Sequence, residues 1–251
     1  MILTLALVFC LSTNTFAERC AGIQGAPRSM GGELRNNKDK KVDLFERIRK
    51  GKAIYAEELG KKGVSLLGLA PEDNFGRSAL TYAAIYDNPE AARVLLDHFN
   101  DNEKAAFYIK EDGKTKKARD VFINTPDVLN ETTPLMYAAQ YGSVGVAKML
   151  LDDKFIRLDQ GDKFGRTALM YAAAFGSNDI VKAIVEKDPA SVNSVDKYGH
   201  TAFYYAAQNN DSVDVLDLLA KDKGFDPEAC SCSSRKANKH LRKQGGLCAK
   251  G

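Results

Sequence analysis

The chain has 251 residues, enough to bury one sizeable core. An apolar fraction of 44% excludes a chain that is disordered throughout. A net charge of +3 excludes a strong overall field for nucleic acid or anionic lipid, and three histidines (His98, His200 and His240) leave little material for acid–base catalysis.

Ile2 to Leu11 is an apolar run interrupted by Thr4 alone. It is too short to span a bilayer as a stable helix. Polar Ser12 to Thr15 follow, then Phe16 and Ala17. The small Ala17, with Thr15 two residues before it, makes a cleavage site before Glu18. The pattern predicts a signal peptide over residues 1–17, and a mature chain that is periplasmic or secreted and keeps no stable membrane span. A short membrane anchor or a buried N-terminal helix is the competing reading, since the α-amine alone supplies positive charge at the start. Neither Cys10 nor Cys20 stands in a lipoprotein cleavage context. Residues 18–41, rich in Gly, Asn and Lys, read as an extended leader.

Residues 42–72 open the folded region. Leu44, Phe45 and Ile48 fall on one helical face, with Asp43, Glu46, Arg47, Arg49 and Lys50 covering the other. A further helix is expected from Ala53 to Leu59.

From residue 73 the sequence repeats itself. Asp73-Asn74-Phe75-Gly76-Arg77-Ser78-Ala79-Leu80-Thr81-Tyr82-Ala83-Ala84 returns in part as Thr133-Pro134-Leu135-Met136-Tyr137-Ala138-Ala139. It returns again as Asp162-Lys163-Phe164-Gly165-Arg166-Thr167-Ala168-Leu169-Met170-Tyr171-Ala172-Ala173, and once more as Asp196-Lys197-Tyr198-Gly199-His200-Thr201-Ala202-Phe203-Tyr204-Tyr205-Ala206-Ala207. The last three blocks are spaced 34 residues apart. The first is set off by one such period plus about 21 extra residues. The glycines permit the positive φ of a turn. Ser78 and Thr167 suit a helix N-cap, and Pro134 suits a first helical position. Apolar residues at helical spacing mark a following helix in each block: Val94 and Leu95; Val146, Met149 and Leu150; Ile180, Val181 and Ile184; Val213, Leu216 and Leu219.

These blocks resemble ankyrin repeats, over roughly residues 43–220. The family's Pro survives only at Pro134, and its His is replaced by Thr81, Met136, Met170 and Tyr204. The resemblance implies an all-α repeat solenoid of about five units with β-turn fingers. The domain spans 42–220: a cap at 42–72, repeats near 73–106, 128–161, 162–195 and 196–220, and an insertion within 97–129. It also implies a concave binding surface built from turn tips and first helices. The variable positions there are the turn residues and the pair after Ala-Ala. In this sequence they include Phe75, Arg77, Ile85, Tyr86, Tyr141, Phe164, Arg166, Phe175, Tyr198 and His200. They are expected to face solvent as an aromatic stripe interleaved with arginine, a composition suited to protein contact. The alternative is that these rings pack on adjacent turns. Tyr82, Tyr137, Tyr171 and Tyr205 occupy a repeated inner position and are expected to pack between repeats.

Within the insertion, Phe107, Ile109, Val121 and Ile123 flank Glu111-Asp112-Gly113-Lys114, which predicts a small hairpin about the Asp-Gly pair. Lys110, Lys114, Lys116, Lys117 and Arg119 make it basic. It is either a second contact reaching an acidic rim or a tolerated surface excursion.

Residues 221–251 form a basic tail with three cysteines. With Cys20 they make an even set in an exported chain, so Cys20, Cys230, Cys232 and Cys248 are disulfide candidates. Bridging Cys230 to Cys232 would be strained. The rival is a tetrahedral zinc set of Cys230, Cys232, His240 and Cys248, at a spacing that matches no common zinc motif. No other cofactor is expected.

Three function classes follow. The first is a monomeric module that binds another protein, sharpened as an inhibitor or immunity protein blocking an envelope enzyme such as a cell-wall hydrolase, or as a secreted effector meeting host proteins. The second is an enzyme. The sequence holds no Gly-rich phosphate loop, no nucleophile elbow and no metalloprotease helix, so no catalytic residue is assigned. The third is a zinc-binding structural protein.

Overall fold

The computed structural model describes residues 44–55, 59, 75–98, 108–111, 114–208, 213–221 and 226. The expected signal peptide and leader lie outside them. The first helix, α1 (Leu44–Arg49), buries Leu44 and Ile48, four residues apart on one face. On its outer side Glu46 pairs with Lys50 at 2.7 Å. The expected helix from Ala53 is corrected at its start. Ala53 to Tyr55 is not helical, whereas Leu59 is helical and buried. The positive φ of Gly51 turns the chain after α1, and Ile54 is then buried in the core from a non-helical segment.

Four helix pairs follow among the described residues: α2 (Ala79–Ile85) with α3 (Pro89–His98), α5 (Pro134–Tyr141) with α6 (Val144–Asp152), α7 (Ala168–Ala174) with α8 (Asn178–Lys187), and α9 (Ala202–Gln208) with α10 (Val213–Lys221). Each first helix starts at a hydroxyl cap. Ser78, Thr133, Thr167 and Thr201 accept hydrogen bonds from the backbone N–H groups of Thr81, Met136, Met170 and Tyr204 at 3.2, 3.3, 3.5 and 3.5 Å. Short first helices are unstable alone. They survive here by packing on their neighbours: α2 on α1 and α5, α7 on α5 and α9. Such close approach needs small residues. The pairs Ala83-Ala84, Ala138-Ala139 and Ala172-Ala173 are wholly buried. The second helices are amphipathic. In α8, Ile180, Val181, Ile184 and Val185 form the buried stripe while Lys182 and Glu186 stay in water.

Polar side chains tie successive units together. Asn88 Nδ2 donates to the Ile48 carbonyl (3.2 Å), Ser143 Oγ to that of Ala84 (2.5 Å) and Ser177 Oγ to that of Ala139 (3.1 Å). Each residue stands at the start of a second helix and caps a buried carbonyl near the C-terminal end of a helix one unit earlier.

The insertion is part hairpin and part core. Strands β1 (Tyr108–Glu111) and β2 (Lys114–Lys117) pair antiparallel, with Glu111 opposite Lys114 on either side of the Asp-Gly pair. Val121 and Ile123, read from sequence as part of the hairpin, instead lie in α4 (Ala118–Asn124). Phe122 and Ile123 are fully buried there, because the extra helix fills the space beside the second full repeat. Polar contacts fasten it. Arg119 Nε donates to Asp153 Oδ2 (2.5 Å), Asn124 Nδ2 to the Phe155 carbonyl (2.7 Å), and Asp120 pairs with Arg157 (2.6 Å). Among the described residues no helix is long and apolar enough to cross a membrane.

Candidate protein-binding face

The turns before the first helices project side by side as fingers, linked by single backbone hydrogen bonds. Val128 N donates to Phe75 O (2.8 Å), Lys163 N to Asn130 O (2.9 Å), and Lys197 N to Phe164 O (2.9 Å). Lysine tails reinforce the same seams: Lys163 Nζ reaches Asn130 Oδ1 at 2.6 Å and Lys197 Nζ the Lys163 carbonyl at 2.7 Å.

The second, third and fourth fingers are each closed from beneath by a buried aspartate. Asp162 Oδ1 accepts from the N–H groups of Phe164 and Arg166 (2.9 and 2.8 Å), and its Oδ2 accepts from Arg166 Nε and the Tyr171 hydroxyl (2.8 and 2.9 Å). Asp196 repeats the pattern with Tyr198 N, His200 N and the Tyr205 hydroxyl (2.8, 2.9 and 2.6 Å). Asp127 does so with Leu129 N, Asn130 N, Thr132 N and the Tyr137 hydroxyl (2.9, 2.7, 3.2 and 3.0 Å). A carboxylate can leave water at these positions because several donors replace its hydration. Burial pulls the Asp196 carboxyl up, but the bonds from Tyr205, His200 N–H and Tyr198 N–H outweigh it and hold it below the ordinary carboxylate value. Burial pushes the Tyr137, Tyr171 and Tyr205 hydroxyls well above the usual phenol range, and the nearby aspartates push the same way. Three tyrosines of the inner row, Tyr137, Tyr171 and Tyr205, therefore close fingers through their hydroxyls.

The expectation of a wholly solvent-facing stripe is corrected. Of the ten residues named for it, Tyr198 and Tyr141 are exposed, at 65% and 40%. Phe75, Arg77, Ile85, Tyr86, Phe164, Arg166, Phe175 and His200 are half-buried. The rings one turn beyond the inner tyrosines lie against them: Tyr86 on Tyr82, Tyr141 on Tyr137 and Phe175 on Tyr171, with centroids 5.9, 6.4 and 6.5 Å apart. The arginines are engaged within the fold. Arg77 lies over the Phe75 ring at 4.2 Å and donates to the Tyr137 hydroxyl at 3.2 Å. Arg166 pairs with Asp162 at 2.6 Å and donates to the Tyr171 hydroxyl at 2.9 Å. His200 stacks on Tyr204 at 3.8 Å, and its Nδ1 lies 3.4 Å from Asp196 Oδ2. His98 ends α3.

Sequence reasoning missed two groups. One is the row Asp127, Asp162 and Asp196. Its signal was present as an aspartate with a tyrosine nine or ten residues on. The other is Val128 and Leu129, exposed at 63% and 49% on the second full finger, where no aromatic or glycine marked a turn. Tyr198 and Tyr141 are the exposed apolar side chains among those the sequence did single out.

Among the described residues no cluster of His, Cys, Asp and Glu gathers at metal-binding distance. Cys20, Cys230, Cys232, His240 and Cys248 lie outside the described residues.

Stacked helix pairs with ladder-linked fingers define a repeat solenoid, whose extended surface is a site for macromolecular contact rather than a closed pocket. The profile of the family described as ankyrin repeats (3 copies) matches residues 53–162, 112–196 and 154–229, together well over half of the chain. The chain belongs to the ankyrin-repeat family, and its repeats form a protein–protein interaction module. None of the curated proteins matches it.

Proposed function

We propose that this chain is exported and grips another protein outside the cytoplasm through its finger-and-first-helix face. The sharper form is an inhibitor or immunity protein that covers the active site of an envelope enzyme such as a cell-wall hydrolase. In this reading the chain is not itself an enzyme, carries no cofactor and is monomeric until it meets its partner. The apolar run before Ala17 supports export.

The observation that carries the binding face is a set of exposed apolar side chains: Val128 and Leu129 on the second finger, Tyr198 on the fourth, and Tyr141 at the end of α5, in a fold that buries most of its other large apolar side chains. Tyrosine at a pre-organised position supplies contact area at little entropic cost. Phe75, Phe164 and Phe175 are half-buried, and the Phe164 ring lies 6.5 Å from that of Tyr198.

Affinity capture with the mature protein, against envelope extract and in parallel against host lysate, tests this reading. A specific envelope protein should be retained and should lose its activity on binding. Replacing Tyr141, Tyr198 and Leu129 by Ala should abolish retention while the helical circular dichroism stays intact. Capture that survives this triple change would reject the face, and capture from host lysate alone would move the reading to a secreted effector.

A further inference from the structure

We infer that the hairpin β1–β2 is a second docking site, taking an extended acidic segment of a partner protein as a third strand along β2.

The juxtaposition is one of charge, edge and anchorage. β2 carries lysine at three of its four positions, Lys114, Lys116 and Lys117, and β1 adds Lys110 against a single Glu111. Each strand has one neighbour among the described residues, and the other side of β2 is where a third strand would pair. Pairing there would set acidic residues of the newcomer beside lysines, and cross-strand pairs of opposite charge are favourable.

An isolated two-stranded hairpin is marginal in water. This one runs without a break into α4, whose Phe122 and Ile123 are fully buried and whose Arg119 and Asn124 are bonded to Asp153 and Phe155 of the following repeat. The core therefore holds one end of the hairpin in place before any partner arrives, which lowers the ordering cost of adding a strand. The low overall charge argues for a local electrostatic match to a peptide over a general polyanion site.

The test uses the full chain and a fluorescent synthetic peptide of alternating Glu and Val, read by anisotropy. The peptide should bind, and more weakly as salt is raised. A control with Gln for Glu and a control with Pro at alternate positions should each bind about tenfold more weakly, the first lacking charge and the second lacking the strand. The variant Lys114→Gln, Lys116→Gln, Lys117→Gln should lose about tenfold in affinity at unchanged circular dichroism, while Tyr198→Ala should bind the peptide as the parent does. That last pair separates this site from the finger face, since either can fail alone. Equal binding by the triple variant, equal binding of the proline-interrupted peptide, or binding only to duplex DNA or phosphatidylglycerol vesicles would overturn the inference.

Discussion

The fingers at 127–132 and 162–167 do the same work with different residues. The second contains Gly165 at φ +81, and a Cβ built there would lie 3.1 Å from Lys197 N in the next finger. The first has no glycine and is one residue longer before its hydroxyl cap, and it takes its left-handed residue as Glu131, at φ 59. Both close on a buried aspartate bonded to turn N–H groups and to a tyrosine hydroxyl. The comparison teaches that the clamp is the constant element. The glycine is one of two ways to bend the chain over it.

If so, the clamp should cost most when broken. Asp162→Ala leaves the Tyr171 hydroxyl, two turn N–H groups and the Arg166 charge without their acceptor, so urea denaturation should show a loss of about 3 kcal/mol. Asp127→Ala should lose a similar amount, although its finger has no glycine. A loss confined to one finger would break the comparison.

Gly165→Ala should cost about 2 kcal/mol, from left-handed strain and the close Lys197 amide. Tyr171→Phe keeps the ring and deletes a hydroxyl that meets Asp162 and Arg166, and should cost about 1 kcal/mol in the same assay. The same hydroxyls set an alkaline limit. Their folded pKa values are raised, so their contribution is complete below the ordinary tyrosine pKa of about 10 and fades as pH rises through the folded values. Phenolate absorbance of these tyrosines should thus appear together with loss of helical circular dichroism. Early ionisation in a folded protein would count against the buried clamp.

The smallest change has the opposite sign. Glu131→Gly relieves a left-handed side chain and adds unfolded-state entropy, for a net gain of about 0.5 kcal/mol. A loss there would mean that Glu131 makes a contact that outweighs its strain.

The acidic limit mirrors the alkaline one at Asp196. Its folded pKa is lowered, so the stabilisation is present above the unfolded carboxylate value of about 3.9 and disappears as pH falls through the folded value. Asp196→Asn should flatten the acid limb of the stability profile.

Much of this was legible in the residues themselves. The period of 34, the hydroxyl caps, the Ala-Ala pairs and the amphipathic second helices follow from local rules: a short side chain for a cap, a small one for a close helix, an apolar one every third or fourth place. The hairpin about Asp112-Gly113 was legible too, because two-residue turns favour that pair. Which rings stay in water was not local. Tyr141 and Phe175 hold equivalent places after an Ala-Ala pair, yet one is exposed and the other half-buried. Nor could spacing assign Val121 and Ile123, whose alternation fits a strand but whose neighbour Phe122 is taken into the core as part of a helix. The sequence by itself determined the unit and its repetition, since each unit's helices are set by residues within a few places of one another. Only the tertiary structure decided the face, because exposure depends on what the neighbouring unit places against a side chain, and those partners lie about one repeat away along the chain.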